Sequence, residues 1–540
     1  MRSVMQHDFS RIPQTDIEVS TFDRSHGVKT AFDSGYLVPI YVDEVVPGDT
    51  FNVDASMVSK MLSPMVSAPM DNIFLDTFWF YVPSRLLWNN FTRLMGERPN
   101  PKDSIDYLVP QISSGSAGFA VGSLADYFGI PTGVANLSVN ALPFRAYCKI
   151  WDDWFRCEYL QDCIINKYED LGDGNPNNVD WTSLRRRGKR HDYFTSALPW
   201  PQLGTGVELP LGTTAPVYGT DGVSLQMEDM TKKTLAPLLV GIKSSSNAGE
   251  FGLKLDFPAS SSSAAGNKLN VVGASQGKDS GLYADLSGAT ASTINSLRMA
   301  FQLQRMMERD ARGGTRYVEI IRQHFKTVCP DARLQRSEYL GGSSDAIAIH
   351  QLVQTSSTDS TTPQGNRVSN ADGFAQCKWT KSFTEHGYVI GLVNVRADIN
   401  YQQGLNRIWS RKGRYDFYWP ALAHLGEQAI LNKEIYAQGT EDDDKPFGYQ
   451  ERYAEYRYHP SIITGKLRST ASGTLDVWHL AQKFTALPTL SKEFIEDNPP
   501  IERLLAVTTG EPQFLLDCYI GCKCTRPMPM YSVPGLIDHF

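Results

Sequence analysis

The sequence predicts a mainly β protein, a single sandwich elaborated by loop and helical insertions of very unequal length. Three observations point there. Short runs rich in β-branched and aromatic residues recur from about residue 35 to residue 524, without the regular strand–helix–strand alternation of a parallel α/β sheet. The stretches between them are uneven, and two are long and polar. Phe 25, Tyr 24 and Trp 10 in a chain that is 41% hydrophobic can fill a large core. The 540 residues would by length alone suggest several domains, but all-β folds with insertions break that rule.

Taken in order, residues 1–30 mix polar and charged types without periodicity, with Arg2, Arg11, Arg24 and Lys29 balanced by Asp8, Asp16, Glu18 and Asp23; they read as an extended N-terminal arm. Gly35 to Val53 is β-rich and is broken by Pro39 and by the turn Pro47-Gly48-Asp49, which predicts a pair of short strands. Asn72 to Val82 (NIFLDTFWFYV) is apolar on both alternating faces, the pattern of a strand covered on both sides. Helices are predicted over Arg85 to Met95, stopped by Gly96, and over Phe144 to Cys163, which sets Tyr147, Trp151, Trp154 and Phe155 on one face behind Pro143. Ser292 or Thr293 can cap a third helix that carries Ile294, Leu297, Phe301 and Met307 at helical spacing and ends at Gly313-Gly314. Strands return at Tyr388 to Tyr401 and at Leu516 to Cys524, where Leu516, Cys518, Ile520, Cys522 and Cys524 alternate with polar or small residues.

The domain reading is therefore the arm 1–30 followed by one domain, 31–540, interrupted by insertions. Residues 201–291 contain no Trp, Cys, His or Arg and become Ser- and Gly-rich from 241, so they cannot build a dense core of their own and read as a surface insertion. Residues 355–370 have the same character and read as a polar surface loop. A flexible linker between domains is the alternative for both.

Several function classes are excluded. Lys+Arg 52 against Asp+Glu 59 gives −7 at pH 7, which fits neither a basic packaging protein nor an acidic disordered chain. No run approaches the roughly 18 apolar residues of a membrane helix, and His7, Asp8 and Arg11 fall where a signal peptide would be apolar. The eight cysteines follow no disulfide-scaffold spacing and read as reduced thiols. No G-x-G-x-x-G, G-x-x-x-x-G-K-[ST] or H-E-x-x-H occurs, so no catalytic residue, cofactor or metal is assigned and an enzyme is not expected. Cys518, Cys522 and Cys524, with His539 beyond them, would share one face of one strand, an arrangement for core packing rather than for zinc. Glu441-Asp442-Asp443-Asp444 could offer calcium hard oxygens but lacks EF-hand spacing and adjoins Lys445, as a solvated acidic turn does. A carbohydrate-active or carbohydrate-binding β-sandwich is the alternative that the aromatic and acidic content suggests, although no carboxylate pair can be singled out.

Positive charge concentrates in Arg185, Arg186, Arg187, Lys189 and Arg190, followed by His191 and then by Tyr193 and Phe194. Cations interleaved with rings suit single-stranded DNA, through phosphate pairing and base stacking. The same cations could instead meet carboxylates, in a neighbouring subunit or within the chain. Both readings stay open.

Three long motifs, LPFRAYCKIWDDWFRCEYLQ (142–161), RGKRHDYFTSALPWPQ (187–202) and HFKTVCPDARLQRSEYLGG (324–342), closely resemble the major capsid protein of microviruses, particularly the gokushovirus group. GYVIGLVNVRADIN (387–400) and the segment 449–467 support them, and the resemblance runs from about Phe9 to the end, apart from 203–291. The departures are Asp152-Asp153, where the family more usually shows Asn-Glu, and the cysteines at 148, 157 and 163. The resemblance implies an eight-stranded jelly roll with large insertions, assembling as about 60 copies into a T=1 icosahedral virion shell around a circular single-stranded DNA genome. It further implies assembly in the host bacterial cytoplasm with an internal scaffolding protein, a DNA pilot protein and a small basic DNA-condensing protein. The 201–291 segment would then be a surface protrusion that meets a bacterial host receptor.

Overall fold

Ten strands form two antiparallel sheets that face each other across a shared core. The computed structural model describes residues 18–98, 100–165, 180–205, 294–313, 323, 335–356, 358, 364–508 and 510–531, with short pieces at 217–219, 226–228, 235–237, 271–272 and 282–284. We number the sandwich strands β1 (Ser20–Asp23), β2 (His26–Phe32), β3 (Val38–Val45), β4 (Thr50–Met61), β5 (Ile73–Pro83), β6 (Glu338–Ala346), β7 (Ala348–Val353), β8 (Arg367–Ser382), β9 (Gly387–Ala397) and β10 (Phe514–Arg526). One sheet has the order β1-β10-β4-β8-β7, with β2 also pairing β10; the other has the order β6-β5-β9-β3. β1 and β2 lie along successive parts of β10, and the run β6–β7 leaves one sheet for the other at the buried Ile347.

Alternation decides which side chains meet between the sheets. Phe51, Val53, Ala55 and Met57 of β4 and Leu516, Cys518, Ile520, Cys522 and Cys524 of β10 point inward, against Leu75, Trp79 and Tyr81 of β5 and Val389, Val393 and Val395 of β9. The cysteine trio is thus core packing, and burial pushes the Cys518 thiol up to about 12. Trp79, fully buried, touches Tyr41 and Trp379 with ring centroids 5.3 and 5.8 Å apart. A Cβ on Gly391 of β9 would come within 2.9 Å of the Trp79 ring, so glycine at this register position makes room for the indole.

The outer face of the four-stranded sheet is covered as well. Helix α1 (Leu142–Ile150) lays Leu142, Phe144, Tyr147 and Ile150 against Phe80, Val82, Ile390 and Leu392. This accounts for the two-faced apolar pattern of β5. The helix expected over 144–163 stops sooner. Its continuation Trp151–Phe155 winds as a π-turn, and the Asp152 carboxylate accepts the amides of Ile164 (3.0 Å) and Ile165 (2.7 Å), which holds the chain in a turn. The helix expected over 85–95 is two short turns, Ser84–Leu86 and Phe91–Leu94, because Leu87 and Trp88 between them are drawn wholly into the α1 cluster. Helix α2 (Ile294–Gly313) ends where Gly313 predicts.

By their contacts the residues divide into two units, 1–203 with 309–540, and 204–308. Residues 1–17 of the arm lie outside the described residues, while 20–32 run as β1 and β2. Most of 201–291 also lies outside them, as do 357 and 359–363 of the polar loop; from Arg367 the chain is already in β8.

Candidate functional site

Residues 185–189 form an extended ribbon laced to its own chain on both sides. Leu37 N donates to Arg185 O and Arg187 N to Gly35 O (both 2.9 Å), while Asp497 N donates to Arg187 O (2.7 Å) and Lys189 N to Ile495 O (2.8 Å). Gly35 is required at this crossing. Its φ of +81° is left-handed, and a Cβ would sit 2.1 Å from Asp497 O.

The ribbon lies over the outer face of β5. The Arg190 guanidinium stacks 4.6 Å above Phe74 and that of Arg187 lies 4.8 Å above Phe78; between those rings Arg187 pairs with Asp76. Asp76 is almost wholly buried and also pairs with Arg396 of β9 at 2.8 Å, with Ser344 of β6 donating to its other oxygen. Two guanidinium groups thus converge on one carboxylate inside the protein. Arg186 turns the other way, 4.0 Å over Tyr36, and donates to Asp497 O (3.0 Å) and Asn498 Oδ1 (3.1 Å). Arg185 donates to Asp180 O. Lys189 donates to Gln482 Oε1 (3.0 Å) beside the Phe494 ring, and burial lowers its ammonium to about 8. Arg190 pairs with Asp398 at 2.8 Å and keeps nearly half of its side chain exposed. The structure therefore brings all five predicted cations together, each engaged within its own chain.

Sequence reasoning missed their partners Asp76, Asp398 and Asp497, and Arg396, the second cation on Asp76. The one local signal was Asp76 itself, a lone carboxylate in a strand apolar on both faces, which needs a cation to be buried. The ribbon, with Phe78, Phe80 and Trp154, borders an open groove of about 830 Å³ whose cationic wall includes Arg156 and Arg190. Such a lining can hold an anion next to an aromatic surface. Among the described residues no three His, Cys, Asp or Glu side chains gather as they would around a metal ion, and no helix is long and apolar enough to cross a membrane. The acidic turn is closed on itself: Asp443 accepts the amides of Gln438 (3.0 Å) and Gly439 (2.7 Å), Asp442 pairs with Lys445, and Asp444 with Lys433.

Asp497 is the unusual group beneath the ribbon. Its carboxyl is buried, neither oxygen has a hydrogen-bond partner, and burial raises it to about 7 against the pull of Lys189, Arg187, Arg396 and Arg186. Between about pH 4, where an unfolded aspartate titrates, and pH 7 the folded chain holds a proton that the unfolded chain has released. This group's contribution to stability is complete at the acid end and is lost as pH rises through about 7. Asp497→Asn should remove that slope. Melting temperatures of variant and wild type measured at pH 5 and pH 8 are expected to shift in the variant's favour at the higher pH, by an amount worth at least about 1 kcal/mol; a gap equal at both pH values would refute the assignment.

Comparisons with known proteins address the whole chain. Residues 10–536 match the family model described as capsid protein (F protein). Over 540 residues the chain is 46% identical to the capsid protein VP1 of Bdellovibrio phage phiMH2K, covering 99% of this chain and 98% of that one. It is 44% identical to the capsid protein VP1 of Chlamydia phage 1 over 596 residues, with 99% and 98% covered. With the capsid protein VP1 of Spiroplasma virus 4 it shares 36% identity over 545 residues, with 98% and 97% covered.

Proposed function

Since the chain belongs to the capsid protein (F protein) family and is a structural protein of the virion rather than an enzyme, we propose that about 60 copies close into a T=1 icosahedral shell around a circular single-stranded DNA genome. The observation that carries this reading is similarity to capsid proteins over nearly the full length of both chains, spanning the sandwich and its insertions. The carbohydrate-active alternative is not favoured by relatives of this kind.

The finer assignments follow the same reading. An internal scaffolding protein, a DNA pilot protein and a small basic DNA-condensing protein would accompany assembly, the last because shells built of chains at −7 repel DNA overall. Of the basic run, Arg190 is the member best placed to reach a phosphate or a neighbouring subunit, since the other four lie deeper in their own chain's contacts. The segment 201–291 would protrude and meet a receptor on the bacterial host. Its composition supports this.

The test combines particle formation with a deletion. Native sedimentation and electron microscopy of the chain, expressed with and without scaffolding protein, should show megadalton spherical particles. Replacing 241–291 by a short Gly-Ser linker should leave the body folded, because loop closure depends only weakly on length, while adsorption to host cells falls. A chain that stays monomeric in both settings sinks the shell, and unchanged adsorption by the shortened shells sinks the attachment role alone.

A further inference from the structure

The excursion 405–426, between β9 and the strand Glu427–Leu431, turns large apolar side chains to solvent: Trp409 is 75% exposed, Tyr415 66% and Leu425 61%, with Ile408, Phe417 and Trp419 also exposed. Scattered exposed apolar residues need no explanation, but so many gathered in one 22-residue excursion of the chain point to a contact surface. The run is also held in place. Arg407 donates to Ala429 O (2.8 Å) and Glu434 Oε1 (2.9 Å), and the Asp416 carboxylate accepts the amides of Lys412 (2.8 Å) and Gly413 (2.7 Å). Trp419 Nε1 donates to Arg414 O (3.0 Å), and Tyr418 N donates to Tyr456 Oη (3.0 Å). A backbone tied down in this way loses little freedom when a partner covers it.

Charge indicates the partner. Arg407 and Arg411 are paired within the chain with Glu434 and Glu455, so only Lys412 and Arg414 stand against Asp416, and the excursion presents a nearly neutral apolar face that suits a protein surface rather than a polyanion. We propose that residues 405–426 are a contact face for a second copy of this chain. The inference rests on the capsid reading and adds the place where neighbours meet. A heterologous contact around a symmetry axis pairs such a face with a different surface of the next copy, and aromatic and arginine side chains are the types that anchor protein contacts. Single-stranded DNA is the less suited occupant. The excursion offers rings for stacking, but with Arg407 and Arg411 held by Glu434 and Glu455 only Lys412 and Arg414 of its cations are left to pair with phosphates.

The test uses the full chain under conditions in which the wild type forms particles. Trp409→Ser combined with Phe417→Ser should lower particle yield at least about tenfold, the effect of 1.4 kcal/mol lost at one contact, while the unassembled subunit keeps the wild-type melting temperature. Independently of any folding defect in that variant, a photo-crosslinking benzoylphenylalanine placed at Tyr415 should link to a peptide of a second copy within the particle. Assembly of the double variant at wild-type yield, or crosslinks confined to the same chain or to another protein, overturns the inference. So does a variant that assembles normally but no longer retains an oligothymidylate probe, which would assign the face to nucleic acid. If the wild-type chain never forms particles, the capsid reading fails first and this inference with it.

Discussion

Replacing Asp76 by alanine is expected to destabilise the folded subunit by about 3–5 kcal/mol, the range for removing one partner of a buried ion pair. Asp76 is nearly inaccessible and is the shared counter-charge of Arg187 and Arg396, which are themselves largely buried. Without it two guanidinium groups face each other over the outer face of β5 with no carboxylate between them. Arg396 already titrates below the usual arginine range, first because of burial and then because of Arg187, so the cluster has little tolerance for further positive charge. Chemical denaturation of the unassembled subunit measures the effect. A companion variant separates charge from packing: Asp76→Leu with Arg187→Met and Arg396→Met removes all three charges together and should recover most of the loss, as apolar replacement of whole buried ion clusters does. A single-variant cost below about 1 kcal/mol would place the cluster in effective contact with water, where ion pairs are worth that little.

Trp79→Ala should cost a similar amount, about 3–5 kcal/mol, by a different mechanism. The indole fills the middle of the sandwich between Tyr41, Trp379 and the glycine face at 391, so its removal opens a cavity there. Its Nε1 has no hydrogen-bond partner, so the residue serves by volume and ring contact alone. Trp79→Phe should therefore lose less than half as much as the alanine variant, since it keeps a ring and removes an unsatisfied donor. Thermal unfolding of both variants checks this; equal losses would mean that the indole's shape, and not its bulk, is what the core requires.

Much of this architecture is legible in the sequence, and the parts that are not have physical reasons. β5 and β10 follow from their apolar patterns, because burial on both faces or on one face leaves its period in the chain. β6 does not. EYLGGSSDA is poor in strand-forming residues, and it becomes a strand through what it meets: Gly342 has a place for no Cβ, which would lie 2.1 Å from Thr77 O, while Ser343 and Ser344 bond to Thr77 and Asp76. Context of that kind overrides propensity and is written in the partner strand. The basic run was visible as a run, but its partners lie 111 residues away at Asp76 and 311 away at Asp497, beyond any local pattern. A count of charges showed how many cations there are, and only the fold shows that they are engaged within the chain that carries them.

The position of β10 between the strands at the start of the sandwich and β4 has a consequence for synthesis. Thr21 and Thr525, whose hydroxyls meet at 2.9 Å, are 504 residues apart. At roughly 5–20 residues per second a ribosome needs on the order of 25–100 s to cover that distance. Throughout that time β1 and β2 have no partner in the sheet and β4 has at least one bare edge, and two until β8 is made, the state in which strands pair wrongly or aggregate. A chain broken off before residue 514 never gains the strand that joins them. The six-stranded sheet is therefore complete only once β10 has been translated, and until then nothing holds β1 and β2 to β4.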